Sequence, residues 1–177
     1  GNVLKMQYTM PHFMGYRFAL FNYATKEVGG YADFDYFKIE DKISDCRWED
    51  ICYADDKLEG HKLDIYLPDM DEPSYKVVVL IYGSAWFANN MKQAAFQVFG
   101  KSLLDKGFAV VSINHRSSRD AKFPAQINDV KAAIRFIRAN AAKYKLDTSF
   151  IGITGFSSGG HLASLAGTTN GVKSYTI

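Results

Sequence analysis

The stretch from Phe150 to Ala163, Phe-Ile-Gly-Ile-Thr-Gly-Phe-Ser-Ser-Gly-Gly-His-Leu-Ala, constrains this chain more than any other. An apolar, β-branched run (Phe150 to Thr154) meets Gly155-Phe156-Ser157-Ser158-Gly159 and passes into a helical pattern. Strand, tight turn, helix is the setting in which Gly-x-Ser-x-Gly forms a nucleophile elbow. A strand that reverses sharply into a helix crowds its own backbone. Gly155 and Gly159 are therefore expected to supply the close approach and positive φ that a Cβ would forbid. The serine at the apex, Ser157, is expected to stand clear of the sheet beside the helix N-terminus. Unpaired N–H groups there favour developing negative charge.

Upstream, the punctuation predicts alternating strands and helices. Arg47 to Ala54 and Lys62 to Leu67 read as two strands of a hairpin, the second ended by Pro68. Lys76 to Tyr82 is an unbroken apolar run, the mark of a strand buried on both faces of a parallel sheet. Met91 to Lys106 has helical spacing and stops at Gly107; Phe108 to Asn114 is the next buried strand. Pro124 opens a helix whose apolar face is Ile127, Val130, Ala133, Ile134, Ile137 and Ala141, ending near Tyr144, and Phe150 starts the elbow strand. The fold class expected is α/β: a mostly parallel sheet with helices on both faces, entered by an antiparallel hairpin.

Two domains are expected: a segment over residues 1–45, read as a packed extension or a lid, and a core over residues 46–177, incomplete at its C-terminus. The 177 residues carry a formal charge of +2, too small to argue for a nucleic-acid partner. No apolar run is long enough to span a bilayer. Gly1 is not a translated start, so a processed N-terminus or a tag scar is expected; a removed leader fits it, with a weak lean to a secreted or periplasmic location. Cys46 and Cys52 could close a small loop, and two free thiols on one strand are an equal reading. The histidines and cysteines lack metal-ligand spacing, and no cofactor is expected.

The residues resemble the α/β-hydrolase superfamily, in particular its esterase/lipase branch with a His-Gly-Gly-type oxyanion loop. The resemblance is carried by Leu63 to Pro68, Val77 to Trp86, Asn114-His115-Arg116, Phe123 to Val130 and Gly155 to Ala163, in the family's order. Within that branch the chain is most similar to small carbohydrate esterases that remove acetyl or feruloyl groups. The resemblance implies Ser157 as nucleophile and the backbone N–H of Ser158 as one oxyanion donor. Tyr82-Gly83-Ser84-Ala85-Trp86 stands where the family has His-Gly-Gly-Gly/Ala-Trp, so the N–H groups of Ser84 and Ala85 match the other donors. Tyr82 replaces the usual His and Ser84 the usual second Gly. If Ser84 misaims the hole, one lost donor costs about 3 kcal/mol in the transition state. Arg116 and Asp129 match bracing positions.

The superfamily's order is Ser, then Asp or Glu, then His, and the chain ends at Ile177, about one helix after the serine. The acid and base are therefore expected outside it. His161 lies one helical turn past Ser157, where side chains project along the helix rather than toward each other. His115 follows a central strand, where sites of open α/β sheets form, although a hydrogen-bonded loop histidine is its plainer reading. His12 and His61 carry no argument. Without its neighbouring strand, Phe150 to Thr154 would be an exposed edge, covered by missing chain or by a second copy. The expected activity is hydrolysis of a small-molecule carboxylic ester through an acyl-enzyme on Ser157. The alternatives are a serine exopeptidase of the same superfamily and a non-catalytic hydrolase-like binding protein.

Overall fold

The computed structural model describes residues 46–172. The segment 1–45, with its extension-or-lid expectation and His12, lies outside the described residues. Five strands form one sheet: β1 (Cys46–Cys52), β2 (Lys62–Tyr66), β3 (Tyr75–Ile81), β4 (Ala109–Ile113) and β5 (Leu146–Gly155), in the order β1-β2-β4-β3-β5. The hairpin β1–β2 is antiparallel and so is the β2–β4 pair, whereas β3 runs parallel to both β4 and β5. This is the mixed α/β sheet that the strand–helix alternation implies.

Strands β3 and β4 are apolar on both faces because helices cover both. Val77, Val79, Ile81, Val111 and Ile113 point to one side, where they pack with Ile127, Val130, Ala133 and Ile137 of α3 (Ala125–Ala139) and Leu162 of α4 (Ser158–Thr168). Val78, Leu80, Tyr82 and Val110 point to the other, against Ala95, Phe96 and Leu104. Alternation along each strand makes this division, since successive Cβ atoms leave opposite faces. Ile127, Val130 and Ile137 are fully buried, and each contributes about 1.5–3 kcal/mol by leaving water.

Three boundaries differ from the sequence expectation. The helix foreseen over Met91 to Lys106 is broken into α1 (Lys92–Ala95), a π-helical turn (Phe96–Gly100) and α2 (Lys101–Leu104). The wider turn seats Phe96 in the core, its ring stacked on Tyr66 at 3.7 Å between centroids. Helix α3 ends at Ala139, not near Tyr144; Asn140 Nδ2 donates to the Phe136 carbonyl at 2.9 Å, and a single 3-10 turn follows over Ala142–Tyr144. Strand β5 starts at Leu146, four residues before Phe150. Asp147 pairs with Lys76 and Ile151 with Val77, so residues 148–150 bulge out, and Ser149 N–H donates to Asp147 Oδ1 at 3.0 Å. That polar bulge hides the strand's beginning from any apolar pattern.

Cys52 carries a free thiol that donates to the carbonyls of Ala54 (2.9 Å) and Asp56 (2.8 Å). It and Cys46 occupy opposite ends of β1, roughly 20 Å apart along an extended strand, so the small disulfide loop does not form. Among the described residues, no helix is long and apolar enough to cross a membrane.

Candidate active site

Three segments leave the C-terminal ends of the parallel strands side by side: residues 82–91 after β3, 114–124 after β4 and the turn from β5 into α4. Open α/β sheets gather their ligands at that end. Ser157 stands at the apex of the last turn with φ 53° and ψ −126°, exposed, immediately before α4. A non-glycine residue held there stores strain of about 1–3 kcal/mol. The positive φ thus falls on the serine itself and not on the flanking glycines, which provide clearance instead. A Cβ on Gly155 would come within 2.5 Å of the Ile81 carbonyl oxygen, and one on Gly159 within 2.2 Å of the same atom. The elbow is wedged against the end of β3, and the crossing leaves no room for a side chain.

The loop after β3 closes on the elbow. A Cβ on Gly83 would stand 2.7 Å from Ser157 Cβ, so the loop passes directly against the nucleophile candidate. Ala85 and Trp86 both have left-handed φ, 49° and 61°, a setting that favours glycine and is strained for a residue with a side chain. Ser158 opens α4, where its N–H has no carbonyl within its own helix to meet. Ser84 departs from the expectation. Its N–H donates to Ser158 Oγ at 2.9 Å, and its own Oγ accepts the N–H of Ala88 at 3.2 Å. It ties the loop to the elbow, and its N–H is directed at that hydroxyl rather than left open as an oxyanion donor. Among the described residues, the N–H groups of Ala85 and Ser158 donate to no backbone carbonyl outside the regular elements.

The loop after β4 is braced from below. Asp129 of α3, buried, takes a two-pronged contact from Arg116 (Nε to Oδ2 2.9 Å, Nη2 to Oδ1 2.6 Å), and the Arg116 backbone N–H donates to Oδ2 at 2.9 Å. The hydrogen bond to Asp129 holds the guanidinium pKa above its ordinary value. His61 joins the same carboxylate at 3.2 Å and Asp56 at 2.7 Å. Arg116 and Asp129 are thus bracing residues, as the resemblance implies. Across the sheet, buried Asp64 pairs with Lys92 at 3.1 Å and accepts the N–H of Asp50 at 2.8 Å. Burial opposes the charge on Lys92, yet Asp50 and Asp64 hold its pKa above the usual value.

Neither loop nor helix histidine engages Ser157. His115 is fully buried and stacked on Tyr82 at 4.8 Å; its Nδ1–H donates to the Arg116 carbonyl at 2.8 Å. Burial lowers its pKa, and Nε2 has no hydrogen-bond partner. His161 is exposed and meets the edge of Trp86 at 5.5 Å. Two features had no signal in the sequence: the Ser158 hydroxyl as a clamp, and the approach of Arg119 to Phe87, 5.4 Å from guanidinium carbon to ring centre. Both depend on loops that meet only in three dimensions.

Residues 63–176 match the BD-FAE family model, and residues 1–40 match the model of the beta xylosidase C-terminal concanavalin A-like domain. Esterase LipQ of Mycobacterium tuberculosis is 42% identical over 107 residues, covering 59% of this chain and 25% of its own. Among solved structures, a bifunctional GH43-CE of Bacteroides eggerthii is 99% identical, with a TM-score of 0.72; the match covers all of this chain and 25% of that one. A truncated carbohydrate esterase from gut microbiota is 64% identical, with a TM-score of 0.70, over 71% of this chain and 44% of its own. Esterase B of Lactobacillus rhamnosis, 24% identical with a TM-score of 0.65, shares the fold. The chain spans about a quarter of the length of the curated relatives it matches. With the elbow, the loop pressed against it and the braced sheet in one frame, the chain belongs to the BD-FAE family of the α/β-hydrolase fold.

Proposed function

We propose that this chain carries the nucleophile half of a serine carboxylic-ester hydrolase acting on small acyl esters, acetyl or feruloyl in type, of carbohydrates. The observation that carries the reading is Ser157, held exposed at φ 53° between β5 and α4 with the residue 82–91 loop against it. Ser157 Oγ attacks the ester carbonyl carbon while its proton passes to a base. The carbonyl oxygen, now negative, rests on the N–H groups of Ala85 and Ser158. The alcohol departs with the proton, and water then releases the acid from the serine. The acid and base of the triad lie outside this chain in this reading. The esterase relatives and the two carbohydrate-esterase structures support the substrate class. The match of residues 1–40 supports a preceding glycan-associated domain in place of a lid.

The test is intact mass of the full-length protein before and after a fluorophosphonate probe, with the adduct mapped. One adduct on Ser157, lost in Ser157→Ala together with ester hydrolysis, is expected. Loss of the nucleophile in a serine hydrolase lowers kcat by about 10⁶. Hydrolysis that survives Ser157→Ala refutes the assignment.

A further inference from the structure

Two large apolar side chains lie open beside the elbow. Trp86 is 37% and Phe87 59% exposed, and both belong to the loop that presses on Ser157. The rings of Trp86 and of His161, on the first turn after the nucleophile, meet edge to face at 5.5 Å between centroids, which sets Trp86 on the elbow's flank. The backbone carries Trp86 at φ 61°, a strained setting for a bulky residue. Exposed rings next to a reactive serine point to a ligand.

The second component is a guanidinium. Arg119, exposed on the loop after β4, lies over the Phe87 ring. The two loops are locked together: Ser118 N–H donates to the Trp86 carbonyl at 2.7 Å, and Asn89 Nδ2 donates to Asp120 Oδ2 at 2.9 Å. Phe87 N–H donates to the Ser84 carbonyl at 2.9 Å, closing the turn. Asp120, next to Arg119 in sequence, is held instead by Ser117, at 2.8 Å from both N–H and hydroxyl. Its Oδ2 is thus engaged by Ser117 and Asn89 rather than by Arg119.

We infer that Trp86, Phe87 and Arg119 form a sugar subsite that holds the carbohydrate side of the ester. A sugar ring offers an apolar C–H face and a rim of hydroxyl acceptors. An aromatic ring paired with guanidinium donors matches both. An acetyl group is too small to cover an aromatic ring and reach the guanidinium together.

The inference rests on the esterase reading of Ser157, and the test separates the two. In the full-length protein, kcat/KM is measured for an acetylated xylo-oligosaccharide, for methyl ferulate and for 4-nitrophenyl acetate. The variants are wild type, Phe87→Ala, Arg119→Ala and Arg119→Lys. The ratio of oligosaccharide to 4-nitrophenyl acetate is expected to fall about tenfold in Phe87→Ala and Arg119→Ala, through KM. Arg119→Lys recovers part of it. An unchanged ratio, or a selective loss on methyl ferulate, overturns the subsite. Absence of ester hydrolysis in the wild type overturns the esterase reading itself.

Discussion

Ser158 links the two halves of the candidate oxyanion site through a single hydroxyl. Its Oγ accepts the Ser84 N–H, and this bond fixes the turn that presents the Ala85 N–H. Ser158→Ala removes the clamp without removing either open donor. In the full-length protein kcat is expected to fall about tenfold, short of the roughly 100-fold that follows loss of a whole donor. KM should change little, and Ser158→Thr should restore most of the rate. A rise in kcat would mean that the released Ser84 N–H is itself the better donor. His115 adds a pH dependence at the same scale. Burial lowers its pKa from 6.5, so below that value the unfolded chain binds a proton that the folded one refuses. Stability contributed by neutral His115 is complete above pH 6.5 and falls as pH drops, by at most about 1.4 kcal/mol per unit. Urea unfolding at pH 7.5 and 5.5 should show this slope, and His115→Gln should flatten it.

At the scale of elements, the clamp between α3 and the β4 loop decides whether that loop stays in place. Asp129→Asn takes the charge from the Arg116 contact and leaves a guanidinium facing a buried amide. Breaking a fully buried pair costs about 3–5 kcal/mol. The Arg116 side chain is 30% exposed, so about 2 kcal/mol is expected, read as a lower urea midpoint at unchanged slope. How much of this was legible depended on whether the signal was local. Strands β3 and β4 were, because burial on both faces leaves an unbroken apolar run in Val77–Ile81 and one broken only by Ser112 in Ala109–Ile113. The elbow was too, since its glycines answer to one backbone crossing at Ile81. The π turn at Phe96–Gly100 was not, since its cause is the Tyr66 ring thirty residues away in sequence. Neither was the start of β5, where residues 148–150 bulge from the ladder, nor the Ser84–Ser158 bond, because a serine in a glycine's place carries no sign of where its N–H will point.

At the scale of the molecule, the strand that delivers Ser157 is the last in the sheet order among the described residues. Among the described residues β5 pairs only with β3, Phe150 is 45% exposed, and residues 151–156 are half-buried. Beside it runs a groove of about 350 Å³ lined by Ile134, Ile151, Ile153 and Ala166, with Lys131 and Arg135 at its rim. An apolar strand with one free row of N–H and C=O groups is a template for another strand. Its neighbours in sequence offer no proline or bulge between Ile151 and Gly155 to discourage pairing. A polypeptide confined to residues 1–177 is therefore expected to self-associate along β5 at micromolar concentration. The longer proteins of which such a chain matches a quarter should supply the missing strand from their own sequence. Sedimentation velocity separates these cases, and hydrogen exchange at Ile151 to Thr154 locates the contact: slow in the full-length protein and in the associated short form, fast in any dissociated one. A short form that stays monomeric and unfolds in one cooperative step would show that α3, α4 and β3 suffice to hold Ser157 in place, and that the edge needs no cover.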